Sequence, residues 1–211
     1  MSGLYIPRSF SFEDRAGQAD FIDRFGFATL VTADGADIQV SHLPLLLDRE
    51  RGVLIGHMAR PNPHAVLLQL NLPSVAVFHG PHAYVSPVWY ASDAAVPTWN
   101  YSVLHAHGRL RAMEDETQLI DTLTRLVQHF DRDVPAALER SMKAMQPLLR
   151  GIVGFEMPIE RIDAKHKLSQ NKSQADRAGV LNGLQHAAEA NGRELAQWMV
   201  ELGLNSTNTV T

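Results

Sequence analysis

The sequence predicts a mainly β protein with peripheral helices, an α+β arrangement built on an antiparallel sheet or barrel. Three observations carry this. Six short β-rich runs fall between residues 27 and 110, joined mostly by turns and not by crossover helices. Asp34-Gly35 sits between two of these runs and supplies a tight hairpin turn. From Glu114 the period changes, and Leu119, Ile120, Leu123, Leu126, Val127 and Phe130 share one helical face. With no internal repeat and no low-complexity linker, residues 1–211 read as a single domain, with a helical C-terminal part at about 173–204 packed on the barrel.

The elements follow in order. Tyr5-Ile6-Pro7-Arg8 is an extended lead-in. Ser11 with Asp14 reads as a capping box for a helix ending near Arg24, with Phe21, Ile22 and Phe25 inward and Gly26 as its stop. Phe27 to Thr32 and Ile38 to Leu43 form the hairpin arms, and Pro44 limits further pairing. Leu45 to Leu47 leads to a polar turn, and Val53 to Met58 is the third strand. Ala65 to Leu70 reads as a short helix. Ser74 to His79 and Ala83 to Pro87 read as two strands separated by a Gly80-Pro81 turn. Thr98 to Leu110 is a long strand. A helix follows from Glu114, a second lies around residues 135–145, and Gly151 to Met157 returns to strand, with Ile159 and Ile162 extending it. Lys165 to Lys172 reads as a polar link. Two helical patterns close the chain, one with Val180, Leu181 and Leu184, the other with Leu195, Trp198, Met199 and Leu202, separated by Asn191-Gly192. Residues 205–211 read as a frayed tail.

Composition narrows the chemistry. The chain has no cysteine, which excludes disulfides, thiolate catalysis and cysteine-ligated zinc or iron–sulfur sites. The net charge of −4 argues against direct DNA binding, which needs a basic face. No stretch approaches a membrane span and the N-terminus lacks the pattern of a signal peptide, so a cytoplasmic location without membrane association is expected. Phosphate loops, nucleophile elbows and HExxH zinc motifs are absent. Ten histidines are present. His105 and His107 share a strand face, but with no carboxylate placed beside them no metal site is expected.

Three polar clusters remain. In the first, Gly56 to His64, a strand ends, two prolines bend the chain and a helix begins. The bend carries His57, Arg60, Asn62 and His64, and such a corner is either an anion site with backbone N–H groups or a water-facing turn. In the second, alternation sends Thr98, Asn100 and Ser102 to one face and Trp99, Tyr101 and Val103 to the other. Core packing accounts for the aromatic face; the polar face suggests a ligand or a subunit interface. In the third, Arg161, Lys165, Lys167, Lys172 and Arg177 outnumber Asp163 and Asp176, as a solvated face or an anion site would require.

Five stretches in order resemble one family: Ser41-His42-Leu43-Pro44; His57 to Pro63; Tyr84 to Pro87 with Trp89-Tyr90; Val96 to Tyr101; and Lys167 to Lys172. Together they resemble the PaiB-type FMN-binding negative transcriptional regulators, a branch of the pyridoxamine 5'-phosphate oxidase-like split β-barrels. The resemblance covers nearly the whole chain. It implies an FMN-binding split β-barrel that forms a homodimer, with two FMN sites at the subunit interface, each built from both chains. It places the FMN phosphate on Arg60 with Asn62 beside it, and sets Asn100 where the larger group has a glutamine facing the flavin. His42 stands where that group carries a basic residue. The cofactor-binding set it implies is His42, His57, Met58, Ala59, Arg60, Asn62, Trp99, Asn100, Lys167, Gln170, Asn171 and Lys172.

The chemistry of these residue types suits FMN. An arginine fork binds a phosphate of roughly two negative charges bidentately. Trp99 or apolar strand backbone walls the ring, and an asparagine both donates and accepts at the flavin's polar edge. The function the resemblance implies is FMN binding in a dimeric regulator without robust catalysis. The alternatives are an FMN-dependent oxidoreductase acting on a small molecule and a haem-handling split barrel. No acid, base or nucleophile pair committed to catalysis is evident.

Overall fold

The computed structural model describes residues 3–204, apart from 36, 94–95, 132–143 and 145. Its elements are α1 (Arg15–Arg24), β1 (Phe27–Asp34), β2 (Asp37–Pro44), β3 (Leu46–Asp48), β4 (Val53–Ala59), α2 (His64–Leu67), β5 (Pro73–Val85), β6 (Thr98–Arg109), β7 (Arg111–Ala112), α3 (Glu116–Phe130), β8 (Ile152–Lys167), α4 (Gln174–Gln185) and α5 (Ala190–Glu201). The strands run β2-β1-β5-β6-β8-β4-β3 across the sheet, and β7 pairs with β8. The β1–β2, β1–β5, β3–β4, β4–β8 and β7–β8 ladders are antiparallel.

Several expectations hold and several need correction. The Asp34-Gly35 turn forms: Asp34 pairs with Asp37, and Gly35 takes φ +62, a backbone conformation that suits glycine. Gly80-Pro81 does not turn. Its residues lie inside the single 13-residue β5, with Gly80 outside the left-handed region that a turn would need. The capping box at Ser11 does not form either; its hydroxyl donates to Glu13 Oε1 (2.8 Å), and α1 starts at Arg15. Gly26 ends α1 without a left-handed cap. It is required by close approach, since a Cβ there would lie 3.0 Å from Leu45 O and 3.2 Å from the Phe130 ring. The helix expected around 135–145 lies outside the described residues, as does the 205–211 tail. Asn191-Gly192 falls inside the first turn of α5 and does not separate the two helices.

By contact density the chain forms two compact units that interleave in sequence. One contains the described residues of 15–78 and 104–162. Its sheet buries Leu30, Leu54, Ile55, Phe78, Phe155 and Met157. The α3 stripe works as its periodicity predicts: Leu126 packs with Leu46, Val53 and Ile55, and Leu119 and Leu123 pack with Leu149. Asp115 caps α3 by accepting from Thr117 N at 2.8 Å.

The other unit contains the described residues of 1–14, 79–103 and 163–211. Here α4 and α5 bury Val180, Leu184, Leu195, Trp198 and Met199. Ser173 caps α4 through Asp176 N (3.1 Å), and Asp176 in turn accepts from Ser92 N at 3.0 Å, pinning the loop before β6 to the helix. Trp89 lies on α4 at two glycines. A Cβ at Gly179 would sit 2.0 Å from Trp89 O, and one at Gly183 would sit 2.2 Å from the indole. Since a backbone oxygen cannot move aside without shifting its loop, Gly179→Ala is expected to cost about 1–3 kcal/mol. A thermal melt of the variant checks this, with an unchanged midpoint as the contrary outcome.

Candidate functional site

Most of the sequence-derived site residues on β4 and its exit lie in the unit of residues 15–78 and 104–162. There His64 is fully buried and both ring nitrogens are engaged, Nδ1 with Ser41 Oγ (3.0 Å) and Nε2 with Thr32 Oγ1 (2.8 Å). Thr32 Oγ1 continues to Ser74 Oγ at 2.7 Å. Asn62 closes the other end: its Nδ2 donates to Ser41 Oγ (3.1 Å) and its Oδ1 accepts from His64 N (3.0 Å). One hydrogen-bonded chain thus ties β1, β2, β5, the corner and α2 together. Burial holds His64 below the ordinary histidine pKa, keeping it neutral.

This network changes the reading of the corner. Of the two readings of the strand-to-helix bend, an anion site would need free backbone N–H groups. Arg60 N instead donates to Gly151 O (2.9 Å), Asn62 N to Ala59 O (3.0 Å), His64 N to Asn62 Oδ1 and Ala65 N to Asn62 O (2.8 Å). With α2 only four residues long and its first amides occupied, any anion-binding capacity rests on side chains.

Arg60 supplies it. The side chain is exposed and its Nε donates to Arg150 O at 3.0 Å, which fixes the guanidinium; among the described residues, its two terminal nitrogens take no partner. Three residues back, His57 is half-buried on β4, and its Nδ1 is buried without a hydrogen-bond partner among the described residues. Burial lowers its pKa. An unsatisfied buried ring nitrogen costs about 1–3 kcal/mol, so a polar group from outside the described chain accounts best for it. Met58 is buried in the core and Ala59 is exposed.

His42 points away from this network. It is exposed on β2, bonds Thr29 Oγ1 through Nδ1 at 3.1 Å and lies 6.5 Å from the Phe27 ring. On the same strand Ile38 and Val40 are 65% and 53% exposed, and Phe27 on β1 is 66% exposed. The register pairs Val31 with Val40 and with Val75, so the outward face of β2-β1-β5 is largely apolar.

The remaining predicted residues lie in the unit of residues 1–14, 79–103 and 163–211. The β6 faces are the reverse of a simple core reading: Asn100 is 1% exposed, whereas Trp99 is 54% exposed. Asn100 Nδ2 donates to Ser169 Oγ at 3.0 Å. Ser169 is held at φ +66, a left-handed conformation unusual for a residue with a Cβ. The stretch expected as a polar link is partly strand and partly buried. Lys165 and His166 lie near the end of β8 with 6% and 7% exposure, and Lys165 Nζ donates to Tyr5 O (3.0 Å). Lys167 Nζ donates to Thr98 Oγ1 and to Trp99 O (2.6 Å). Burial, then the nearby Lys165 and Lys172, lowers its pKa. Gln170 folds back on the turn, accepting from Leu168 N (2.7 Å) and donating to His166 O (2.6 Å). Asn171 is exposed, and the Lys172 ammonium lies 5.2 Å from the Tyr90 ring centroid.

His166 was not singled out from the sequence. It stacks on Phe12 at 3.9 Å, bonds Ser102 Oγ through Nδ1 at 2.9 Å, and has its pKa lowered to about 4 by burial. Trp198 Nε1 also donates to that hydroxyl (3.0 Å), which explains the polar face of β6 as an internal network. The sign of the pH effect follows. The unfolded chain takes up a proton near pH 6.5 and the folded chain does not until about 4, so stability falls as pH drops through that window. About 3 kcal/mol is expected from this histidine, with His57 and His64 adding in the same direction. Denaturant melts at pH 7 and pH 4.5 measure it, with equal stability at both as the contrary result. His105 and His107 lie 6.3 Å apart, and among the described residues no group of three or more metal-ligating side chains gathers. No helix among them is long and apolar enough to cross a membrane.

Comparison with known proteins adds the family context. A family model described as "Putative FMN-binding domain" matches residues 4–161. Among curated proteins, the chain is 32% identical over 201 residues to the Bacillus subtilis "Protease synthase and sporulation protein PAI 2", covering 93% of this chain and 96% of that one. Among solved structures, it is similar to an FAD and heme binding protein from Mycobacterium smegmatis (TM-score 0.59, 15% identity, 74% of this chain and 73% of that one). It is similar also to the flavocytochrome Anf3 from Azotobacter vinelandii (TM-score 0.55, 14% identity, 77% and 72%). At these identities the structural likeness establishes the split-barrel fold alone: an antiparallel curled half-barrel sheet with helices.

Proposed function

This chain belongs to the FMN-binding family whose model it matches, and from that membership we propose that it binds FMN as a homodimer and acts as a regulator without robust catalysis. The observation that carries the proposal is Arg60, a guanidinium fixed through Nε with both terminal nitrogens open among the described residues. A fork of that kind suits the FMN phosphate. The unpartnered His57 Nδ1, three residues earlier on β4, favours a polar group docking there. When bound, FMN supplies one- or two-electron chemistry; the protein's part is to bind and orient it.

The apolar face of Phe27, Ile38 and Val40 supports a second copy as the partner. Of the 167–172 segment, Asn171 and Lys172 are the groups most free to reach a ligand; Asn100, Lys167 and Gln170 shape the segment through the bonds they already make. Asn62 serves the corner in the same way.

The experiment is an absorption spectrum of the purified protein with mass spectrometry of what it releases. Flavin bands and about one FMN per chain are expected. A Soret band without flavin would favour haem, the second reading, which draws on the haem named for the M. smegmatis neighbour. Turnover of NAD(P)H above that of free FMN would favour the oxidoreductase alternative. Sequence-specific retardation of DNA at physiological salt would establish direct operator binding, which the net charge of −4 disfavours.

A further inference from the structure

A second pocket, distinct in chemistry from the Arg60 corner, lies wholly within the unit of residues 1–14, 79–103 and 163–211. Its volume is about 860 Å³, enough for a drug-sized molecule. Its walls include Tyr84 and His82 on β5, Trp89, Trp99 and the α4–α5 connection. Trp99 is the centre of an aromatic corner, 6.4 Å from the His82 ring at 34° and 6.2 Å from the Tyr84 ring at 73°. Over half of this tryptophan is left exposed, although it lies in a partly enclosed pocket. Trp89 is locked against Gly179 and Gly183, so that wall is fixed before any ligand arrives. Among the described residues no lysine or arginine lines the pocket; Glu189 is the one carboxylate there, and His82 and His186 are its titratable bases.

We infer that this pocket binds a planar aromatic small molecule that is uncharged or positively charged, stacked against Trp99. Aromatic walls favour flat ring systems, and indole and phenol faces attract cations. Glu189 stands in the lining, no described lysine or arginine does, and the nearby Arg193 is engaged by the Ala187 and Ala188 carbonyls (2.6 and 2.7 Å), so a phosphate or sulfonate would enter without a free guanidinium or ammonium to pair it and is disfavoured. Nicotinamide dinucleotides and the FMN phosphate are therefore poor fits. The Arg60 corner takes anions, and this pocket takes ligands that lack them.

The test uses the full-length protein in its solution assembly, titrated with proflavine, a planar cation, and with anthraquinone-2-sulfonate, a planar anion, by calorimetry and tryptophan quenching. Proflavine is expected to bind at least about tenfold more tightly than the sulfonate, a gap that one unpaired charge readily produces. Ala188→Trp, at an exposed position on the α4–α5 connection, is expected to fill the pocket. It should weaken proflavine at least about tenfold while FMN content per chain stays the same. Trp99→Ala should weaken proflavine comparably. Absence of binding, equal affinity for the two probes, or unaltered proflavine binding in both variants would overturn the inference. Release of FMN in step with proflavine uptake would overturn it too, by assigning the pocket to the flavin ring. Proflavine binding to a protein that holds no FMN would sustain this pocket while removing the flavin proposal.

Discussion

Arg60→Ala is expected to weaken FMN binding by about 1.5–3 kcal/mol, or roughly tenfold to more than a hundredfold in Kd. The size follows from the charge-assisted fork: two terminal nitrogens with no partner among the described residues, on a guanidinium already oriented by Arg150 O. Little conformational entropy is then left to lose on binding. Arg60→Lys should recover only part of the loss, because an ammonium cannot bind phosphate bidentately. Thermal stability should change little, since the side chain is exposed and gives up one hydrogen bond to a carbonyl. Fluorescence titration with FMN, alongside a melt of each variant, measures both. An unchanged Kd for Arg60→Ala would put the phosphate elsewhere.

His64→Ala is expected to do the opposite. Its ring is fully buried and bridges Ser41 to Thr32, so truncation leaves two hydroxyls short of a partner and opens a cavity. A loss of about 3 kcal/mol or more is expected, lowering Tm by roughly 6–12 °C for a chain of this size. Loss of FMN affinity would accompany it only through disorder at the corner. A melt within about 2 °C of the parent protein would show that the network contributes little.

Much of the fold was legible because it rests on local signals. The Asp34-Gly35 turn, the α3 stripe and the apolar β4 run each carry their own pattern, and each forms as expected. The departures come from long-range partners. Gly80-Pro81 has turn composition, yet its residues continue β5 as strand. The Lys165–Lys172 run reads as solvated, but Tyr5, Thr98 and the Trp99 carbonyl lie far away in sequence and supply the oxygens that let lysines be buried. Alternation gave the two faces of β6 correctly without indicating which was inside. Ser102 and Asn100 turn inward because His166, Trp198 and Ser169 await them.

The site was legible in the same uneven way. Arg60 stood out as a cation at a strand end, and its geometry suits the role given to it. Asn62 stands beside it and also bonds Ser41 Oγ and His64 N. Thr32 and Ser74 have no local signature, each being a single hydroxyl in an apolar run, and Ser41 is visible only as part of the Ser41–Pro44 stretch. A buried histidine two positions after Asn62 was the available clue.

The network from Ser74 to Asn62 has a bearing on how this corner can change over generations. Arg60 lies outside it; among the described residues its side chain bonds only Arg150 O. Under the role proposed for Arg60, the scaffold and the ligand-reading group are under separate constraints. Substitutions at 60 can alter which anion is held without risking collapse of the chain, while those at 32, 41, 62 or 64 are screened first for folding. A lineage could exchange its ligand at this corner through few viable steps, keeping the same frame beneath.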